Sequence, residues 1–263
     1  MKQYLIQPPS TSLEGTGYLD EYSTYSEYNY LRPGIASHIK RRHFEICLRL
    51  TLKYFHKVNV IDFGCADGYF IPSLARYFNN VVAVDISPNF IRIAHEIVDK
   101  TDIHNVDLIC NEGLTIDEIA TKLSGEQYHI LFLLEVLEHI GDEPDSMYES
   151  KIDLLKQVST LIDEDGIIVI SVPKMVGITF LFQRVGLTIF RMNRERISLK
   201  DLIKASIFND TSNTEKEWDG GHVGFNYKKL EKCIRNEFDI LQKRNDLFQI
   251  IYVIGKKSNS LII

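Results

Sequence analysis

The chain has 263 residues, of which 44% are hydrophobic and 25% are charged. A chain of this length and composition can bury a sizeable core in one large α/β domain. The net charge of −6 disfavours nucleic acid as a partner. We see no signal peptide and no membrane-spanning run, and the four scattered cysteines predict reduced thiols without a zinc site.

From residue 35 to residue 173, short apolar runs alternate with amphipathic segments. The spacing predicts helices over residues 35–55, 69–78, 87–100, 115–123 and 143–162, and strands over residues 58–63, 81–86, 106–110, 129–135 and 167–173. Strands this apolar predict a parallel sheet with helices on both faces. Two further strand-like runs, 238–244 and 248–256, are joined by a tight turn and must be antiparallel. We therefore expect an α/β fold with a Rossmann-like seven-stranded sheet, mostly parallel, with an antiparallel last strand.

The segments outside this alternating pattern differ in composition. Residues 1–33 are polar and rich in tyrosine and are expected to form an N-terminal arm or cap; a solvated tail is the alternative for the first half. Residues 34–263 are expected to form one domain with an insertion at about 174–225. In the insertion an apolar block is followed by basic residues. This segment is either a lid with its apolar face buried or a peripheral membrane contact through residues 175–204.

The stretch NVIDFGCADGYF, residues 59–70, places two glycines after a short buried strand. Ligands of open α/β sheets bind at the carboxyl ends of the strands, and Gly64 and Gly68 allow close backbone approach. Asp85 ends the next strand, where a carboxylate can accept hydrogen bonds from two ribose hydroxyls. The dinucleotide pattern G-x-G-x-x-G and the phosphate-loop pattern are both missing. A nucleoside without a pyrophosphate, such as S-adenosylmethionine, fits best; the alternative is a turn without any ligand.

Four stretches taken together resemble the motifs of a known family: VIDFGCADGYF, VVAVDIS, LEVLEHI and LIDEDGIIVISVPK. In order and spacing they are similar to class I S-adenosylmethionine-dependent methyltransferases, over roughly residues 58–173. LEVLEHIGD, YNYLRPG and GGHVGFNYKKL look most like the branch that includes the ubiquinone-biosynthesis O-methyltransferases. The resemblance implies a class I methyltransferase domain, with S-adenosylmethionine as the methyl donor and S-adenosylhomocysteine as the product.

The resemblance also implies cofactor-binding positions. Asp62 and Gly64 would hold the amino acid end of the cofactor, and Gly68 would permit close helix packing. Asp85 would bind the ribose hydroxyls, and Ile86 would pack on the adenine. The full implied set is Arg32, Asp62, Gly64, Cys65, Gly68, Asp85, Ile86, Glu112, Gly113 and Glu135.

Four positions of this set have an alternative interpretation or differ from the family pattern. Arg32 is a candidate for the cofactor carboxylate, with a surface arginine as the alternative. Glu112 and Gly113 are candidate adenine neighbours, although CNEGLTIDE departs from the Gly-Asp-Ala pattern common in the branch. Cys65 stands where many members have a small residue, and we interpret it as structural rather than nucleophilic.

Methyl transfer to a hydroxyl requires a base, and His139 and His222 are the candidates. Glu135 is expected to contact the cofactor. Glu135, Glu138 and His139 are also candidates for holding a divalent metal that binds two acceptor oxygens, although a metal is not our preferred interpretation. The remaining alternative is that Glu138 caps a helix and His139 packs against it.

We therefore expect a cytoplasmic enzyme, peripheral at the membrane in one alternative, that methylates a small-molecule acceptor. The preferred acceptor is a hydroxyl on a substrate with an apolar portion, since either interpretation of the insertion places an apolar surface over the cleft. N-methylation of a small amine is the first alternative, and a non-catalytic cofactor-binding regulator or scaffold is the second. Nucleic acid is not expected as a partner, and the sequence makes no prediction of the oligomeric state.

Overall fold

The computed structural model describes residues 4–11, 24–123, 125–141, 143–189 and 197–257. The strands are β1 (Asn59–Phe63), β2 (Val81–Asp85), β3 (Val106–Cys110), β4 (Tyr128–Leu134), β5 (Ile167–Pro173), β6 (Phe238–Asn245) and β7 (Gln249–Lys256). The helices are α1 (Ile35–Thr51), α2 (Ile71–Tyr77), α3 (Pro88–Thr101), α4 (Ile116–Lys122), α5 (Met147–Ser159), α6 (Ile178–Ile189), α7 (Leu199–Ile203), α8 (Ser212–Glu215) and α9 (Tyr227–Glu237). Shorter or wider helical turns lie at Glu27–Leu31, Leu137–His139 and Lys204–Phe208.

The strands form a seven-stranded sheet in the order β3-β2-β1-β4-β5-β7-β6. β1 pairs in parallel with β2 and β4, and β2 pairs in parallel with β3. β7 runs antiparallel to its neighbours β5 and β6. The predicted Rossmann-like sheet, mostly parallel with an antiparallel last strand and surrounded by helices, is therefore confirmed. Because β1 and β2 are parallel neighbours, the turns that follow them lie at the same edge of the sheet.

Contacts within the chain divide it into two compact units. The first unit contains Met1–Leu134 and Val158–Val169, and the second contains Glu135–Gln157 and Ile170–Ile263. The expectation of one domain over residues 34–263, with an arm before it and an insertion within it, stays a prediction.

In the first unit, local sequence signals set the helix ends. Ser87 accepts a hydrogen bond from the first turn of α3, and Pro88 takes the first helical position. Thr115 and Glu118 form a reciprocal capping box at the start of α4. These caps begin α3 and α4 near the edge of the sheet at which the strand-end residues lie.

Helix α1 ends at Thr51, earlier than the predicted end at Phe55. The Thr51 hydroxyl donates to the carbonyl oxygens of Cys47 and Leu48 at 3.1 and 2.9 Å. Threonine hydroxyls compete in this way for helical carbonyls and favour a helix end. The chain then turns into β1 through Lys57, whose φ is +53°.

The insertion is largely helical in its described part, with α6, α7 and α8. Phe180 of α6 is buried, whereas Ile178, Phe182 and Val185 are 57%, 67% and 47% exposed. The basic run 190–196 lies outside the described residues. Within the ranges given above, no helix is long and apolar enough to cross a membrane.

Candidate active site

The glycine turn after β1 has three residues in the left-handed region. Gly64, Ala66 and Gly68 have φ values of +84°, +48° and +90°. The amides of Gly64 and Cys65 both donate to the carbonyl oxygen of Val84, at 2.7 and 3.0 Å. The turn is thus tied to β2.

Gly68 also lies where a side chain would clash. A Cβ at this position would lie 3.1 Å from the Cβ of Ala94 in α3 and 3.1 Å from Cδ1 of Ile71. Together with its positive φ, this contact explains why glycine occupies the position. The close approach brings α3 against the turn.

Asp85 joins the turn to the start of α3. One carboxylate oxygen accepts the Ala66 amide at 2.8 Å, and the other accepts the Ser87 amide at 2.9 Å. A hydrogen bond from the Ile86 amide also acts on this carboxylate. Asp85 is therefore held in a fixed position by backbone amides, and its carboxylate can accept a hydrogen bond from a ligand hydroxyl.

Three carboxylates are buried around the turn, those of Asp62, Asp67 and Asp85. Burial, and secondly the charge of Asp85, raise the pKa of Asp62 to about 7. Burial also raises the pKa of Asp67 and of Asp85, against hydrogen bonds that lower it. A cation close to such carboxylates favours their ionised forms, so these surroundings favour a positively charged ligand.

The other predicted cofactor residues of the first unit are more exposed. Ile86 is 66% exposed and offers an apolar side chain next to the turn. Glu112 and Gly113 are exposed, and Gly113 has a φ of +72° with open space at the side-chain position. The Arg32 guanidinium lies 4.2 Å from the centre of the Tyr28 ring.

Cys65 is buried in an apolar cluster with Ile71 and Ala83. Burial, followed by the charges of nearby carboxylates including Asp62, raises the pKa of its thiol well above the usual range. A protonated buried thiol is a poor nucleophile. This environment agrees with the structural interpretation of Cys65.

A buried acid and two histidines meet in the second unit. Glu138 is fully buried, and neither of its oxygens has a hydrogen-bond partner among the described residues. One oxygen lies 3.9 Å from Nε2 of His139 and 4.0 Å from Nε2 of His222. The structure thus brings the two predicted histidines together. No hydrogen bond by which Glu138 would cap a helix is seen among the described residues.

The tautomer of His139 follows from its neighbour. Its Nδ1 lies 2.7 Å from the carbonyl oxygen of Gly220. A carbonyl oxygen can only accept, so Nδ1 carries the proton and the neutral imidazole has its lone pair on Nε2. This is the nitrogen nearer to Glu138. His139 can therefore take up a proton, or bind a metal ion, through Nε2.

Glu135 forms two hydrogen bonds with Ser171. Its amide donates to the Ser171 carbonyl at 3.0 Å, and its carboxylate accepts the Ser171 hydroxyl at 3.0 Å. Burial, and secondly the charge of Glu135, raise the pKa of Glu138. The three ligand atoms that lie within 4.8 Å of one another belong to Glu138, His139 and His222. His222 thus takes the place that the sequence interpretation assigned to Glu135 as a metal candidate.

Sequence reasoning missed Lys151, which is fully buried on α5. Its ammonium donates to the Ile140 carbonyl and lies 4.4 Å from the centre of the Trp218 ring and 5.8 Å from that of Phe225. Burial lowers its pKa to about 8. A lysine on an amphipathic helix normally faces solvent, so the sequence contains no signal for this position.

A family model described as a methyltransferase domain matches residues 35–203. The chain belongs to the S-adenosylmethionine-dependent methyltransferases. The matched part of this methyltransferase runs from α1 to α7 and includes the glycine turn, Asp85 and Glu138. The predicted class I family and enzyme class are confirmed.

The methyltransferase is similar to curated proteins whose names indicate different acceptors. It is 28% identical over 121 residues to EEF1A lysine methyltransferase 2 of Homo sapiens, an alignment that covers 44% of this chain and 49% of the relative. It is 28% identical over 158 residues to the ubiquinone biosynthesis O-methyltransferase of Azorhizobium caulinodans, covering 60% of this chain and 56% of the relative. The chain spans about half the length of the curated relatives it matches.

Solved structures share the fold of this methyltransferase. A SAM-dependent methyltransferase from Anabaena variabilis superposes with a TM-score of 0.55 at 16% identity, covering 83% of this chain and 85% of that chain. The N-methyltransferase NodS of Bradyrhizobium japonicum, in complex with S-adenosylhomocysteine, superposes with a TM-score of 0.50 at 13% identity, covering 84% and 88%. At these identities the likeness supports the fold alone.

The residues around the turn fit S-adenosylmethionine. Asp85 presents a carboxylate in a fixed position, where it can accept a hydrogen bond from the ribose. The buried carboxylate of Asp62 suits a ligand that carries ammonium and sulfonium charges. The exposed side chain of Ile86 offers an apolar surface for an adenine ring.

Proposed function

We propose that the protein transfers a methyl group from S-adenosylmethionine to a hydroxyl of a small molecule with an apolar portion. The observation that carries this proposal is the cluster of Glu138, His139 and His222 in a chain with a methyltransferase cofactor turn. A protein that only binds the cofactor as a scaffold has no need for a histidine of defined tautomer beside a buried carboxylate. The cluster therefore favours catalysis over the scaffold alternative.

The cofactor, when bound, supplies a methyl group on a sulfonium that is already activated for displacement. In our proposal Asp85 accepts the ribose hydroxyls, and Asp62 faces the ammonium of the amino acid end. Gly64 allows the backbone to approach, and Ile86 covers the adenine. The contribution of these residues is orientation and the exclusion of water.

His139 is proposed as the base. Its Nε2 would take the proton of the acceptor hydroxyl. The cofactor would supply the methyl group to the acceptor oxygen, and its methyl–sulfur bond would break to leave S-adenosylhomocysteine with the electron pair. The resulting imidazolium keeps its Nδ1–H on the Gly220 carbonyl and has the Glu138 carboxylate 3.9 Å from Nε2. The Lys151 ammonium already favours the ionised form of this buried acid, and the imidazolium adds a second positive charge that would stabilise the pair.

A divalent metal is the second candidate role for the same cluster. Glu138, His139 and His222 offer one carboxylate oxygen and two imidazole nitrogens, a ligand set that suits a first-row metal ion. The hydrogen bond from His139 to Gly220 would orient this ligand. In this role the three residues would hold an ion that lowers the pKa of the acceptor hydroxyl.

An amine is the second candidate acceptor, because one relative is named as a lysine methyltransferase. An amine that arrives neutral attacks the methyl carbon without losing a proton first. The base is then dispensable, so substitution of His139 distinguishes the two acceptors.

The apolar portion of the substrate is inferred from the insertion. Its helices carry exposed Ile178, Phe182, Leu199 and Phe208. These side chains would meet either an apolar substrate, as a lid, or the lipid surface from which such a substrate comes. We propose the peripheral membrane contact because the apolar side chains are exposed rather than packed.

The cofactor part of the proposal is tested by titrating S-adenosylhomocysteine calorimetrically into the wild type and Asp85→Ala. We expect binding by the wild type and a loss of about a hundredfold in the variant, since several hydrogen bonds to a charged acceptor disappear. Asp107→Ala removes an exposed aspartate from the adjacent strand and should bind like the wild type. A folded wild type that does not bind would refute the proposal.

The acceptor part is tested with paired phenols and amines that carry the same alkyl chain, with and without chelator. For a phenol we expect His139→Gln to lower kcat by about a hundredfold or more while the affinity for S-adenosylhomocysteine stays unchanged. Activity that survives the chelator supports the base, whereas activity lost to it and restored by a divalent cation supports the metal. Turnover of the amine alone, unaffected by His139→Gln, would overturn O-methylation.

A further inference from the structure

A buried carboxylate fastens the N-terminal arm to the glycine turn. Asp67, between Ala66 and Gly68, is fully buried. It accepts a hydrogen bond from the Ser26 amide at 2.7 Å and a second one from the Ser26 hydroxyl. The two residues are 41 positions apart in the chain. This contact therefore joins two distant segments of the chain directly at the glycine turn.

The arm segment that reaches Asp67 is ordered by its own hydrogen bonds. The Thr24 amide donates to the Glu27 carboxylate at 3.0 Å, and the Glu27 amide donates to the Thr24 hydroxyl at 3.2 Å. This reciprocal pattern is a capping box, and a wide helical turn, Glu27–Leu31, follows it. Within that turn the Asn29 side chain accepts a hydrogen bond from the Lys40 ammonium at 2.7 Å. These hydrogen bonds hold the arm segment together, so a contact at Ser26 also positions the residues around it.

Two aromatic contacts tie the same segment to the residue that follows the turn and to α3. The Tyr30 ring lies 4.6 Å from that of Tyr69, the residue after Gly68. The Tyr25 ring lies 5.6 Å from that of Phe90, in the first turn of α3. The arm thus contacts the glycine turn and α3, which are the two elements that Asp85 also connects.

We propose that Asp67 is a positioning residue for the cofactor, which acts by holding the arm segment 24–34 against the glycine turn. The inference rests on the proposed function, because the turn must be the cofactor site for the arm to matter. Binding of the arm and binding of the cofactor then favour each other, and this coupling is reciprocal. Arg32 directly follows the wide turn, so the same contact also places this candidate for the cofactor carboxylate.

The rival explanation is that Asp67 only stabilises the fold. Burial of its carboxylate is costly, and the hydrogen bonds from Ser26 offset that cost. A structural role predicts lower thermal stability without a specific change in cofactor affinity. A positioning role predicts weaker cofactor binding, and also protection of the arm amides when cofactor binds.

The test compares Asp67→Ala, Asp67→Asn and Ser26→Ala with the wild type, with S-adenosylhomocysteine as the probe. Calorimetry gives the affinity, hydrogen exchange of residues 24–34 with and without the probe gives the coupling, and thermal unfolding checks the fold. We expect Asp67→Ala to bind about tenfold more weakly, since capping hydrogen bonds of this kind are worth roughly a factor of ten in an equilibrium constant. Asp67→Asn keeps an acceptor for the Ser26 amide and should recover most of the affinity. Ser26→Ala should fall between them.

Ser73→Ala is the matched control. The Ser73 hydroxyl accepts the Ile6 amide at 2.9 Å and so ties the outer arm, residues 4–11, to α2. This variant should loosen residues 4–11 and leave the affinity unchanged.

The positioning role is overturned if Asp67→Ala loosens segment 24–34 but binds the probe like the wild type, or if the probe protects no amide in that segment of the wild type. If Asp67→Ala is unfolded, Ser26→Ala decides alone. A wild type that does not bind the probe refutes the proposed function instead, which keeps the two failures distinguishable.

Discussion

Asp62 is a buried carboxylate near the end of β1, only 3% exposed, and its pKa is raised from 3.8 to about 7 by burial and then by Asp85. A carboxyl group with a raised folded pKa costs stability as the pH rises from the unfolded towards the folded pKa. In the ligand-free chain this cost grows between about pH 4 and pH 7 and is constant above that. With a cationic ligand bound, the same ionised carboxylate becomes favourable.

We therefore predict opposite effects of Asp62→Asn on stability and on binding. At about pH 8 the ligand-free variant should be more stable than the wild type by a few kcal/mol, because a pKa shift of about three units is worth about 1.4 kcal/mol per unit. Its affinity for S-adenosylhomocysteine should fall, because the ammonium loses its counter-charge. Thermal unfolding against pH and calorimetry check both effects.

Asp107→Asn, an exposed aspartate on β3, is the control and should change neither quantity. A lower melting temperature of Asp62→Asn at about pH 8 would contradict the prediction, because it would mean that the folded chain stabilises the charge. Wild-type affinity should also rise with pH up to about 7, as the carboxylate ionises.

Residues within one motif could be predicted from the sequence, and residues paired across the chain could not. Gly64, Gly68 and Asp85 belong to a strand-and-turn pattern whose geometry is local. The contact between Ser26 and Asp67 joins distant segments, and no spacing in the sequence indicates it. The contact between His139 and His222 likewise joins positions that are distant in the sequence and close only in the folded chain.

At the scale of elements, a glycine in the glycine turn and a glycine in the loop after β3 allow the cost of a side-chain clash to be separated from the cost of backbone strain. Gly68 and Gly113 both have positive φ, but only Gly68 has neighbours within reach of a Cβ, at 3.1 Å. We predict that Gly113→Ala costs about 1 kcal/mol, from backbone strain alone. Gly68→Ala should cost about 2–4 kcal/mol, because α3 must also move away. Chemical denaturation of the two variants measures the difference, and equal costs would show that α3 packs more loosely than described.

Some helices could be predicted from local sequence signals, whereas others could not. Helix α3 starts where Ser87 and Pro88 indicate, because a cap and a proline act locally. For the insertion, the sequence predicts an apolar block that forms a lid or a membrane contact, and it assigns no helix. Its α6 buries Phe180 and exposes Phe182, so apolar residues lie on both sides of the helix and the usual one-sided spacing is absent.

At the scale of the whole molecule, a net charge of −6 argues against anionic partners, but the distribution of charge along the chain is uneven. Residues 184–204 contain six basic and two acidic residues, a local net charge of +4. The same region carries exposed apolar side chains on α6 and on the segment 199–208. Apolar side chains next to basic ones are typical of a contact with an anionic lipid surface.

We predict that the full chain sediments with phosphatidylcholine vesicles that contain phosphatidylglycerol, and less with phosphatidylcholine alone. Phe182→Ser combined with Phe208→Ser should weaken binding by about thirtyfold, since each of the two exposed aromatics that insert contributes on the order of 1 kcal/mol. Leu241→Ser is the matched control, because Leu241 is 58% exposed on β6, outside the insertion. Added salt should weaken binding of the wild type, because it screens the basic residues. If the double variant sediments like the wild type but its KM for an alkylated acceptor rises, the apolar side chains meet the substrate as a lid and the membrane contact is refuted.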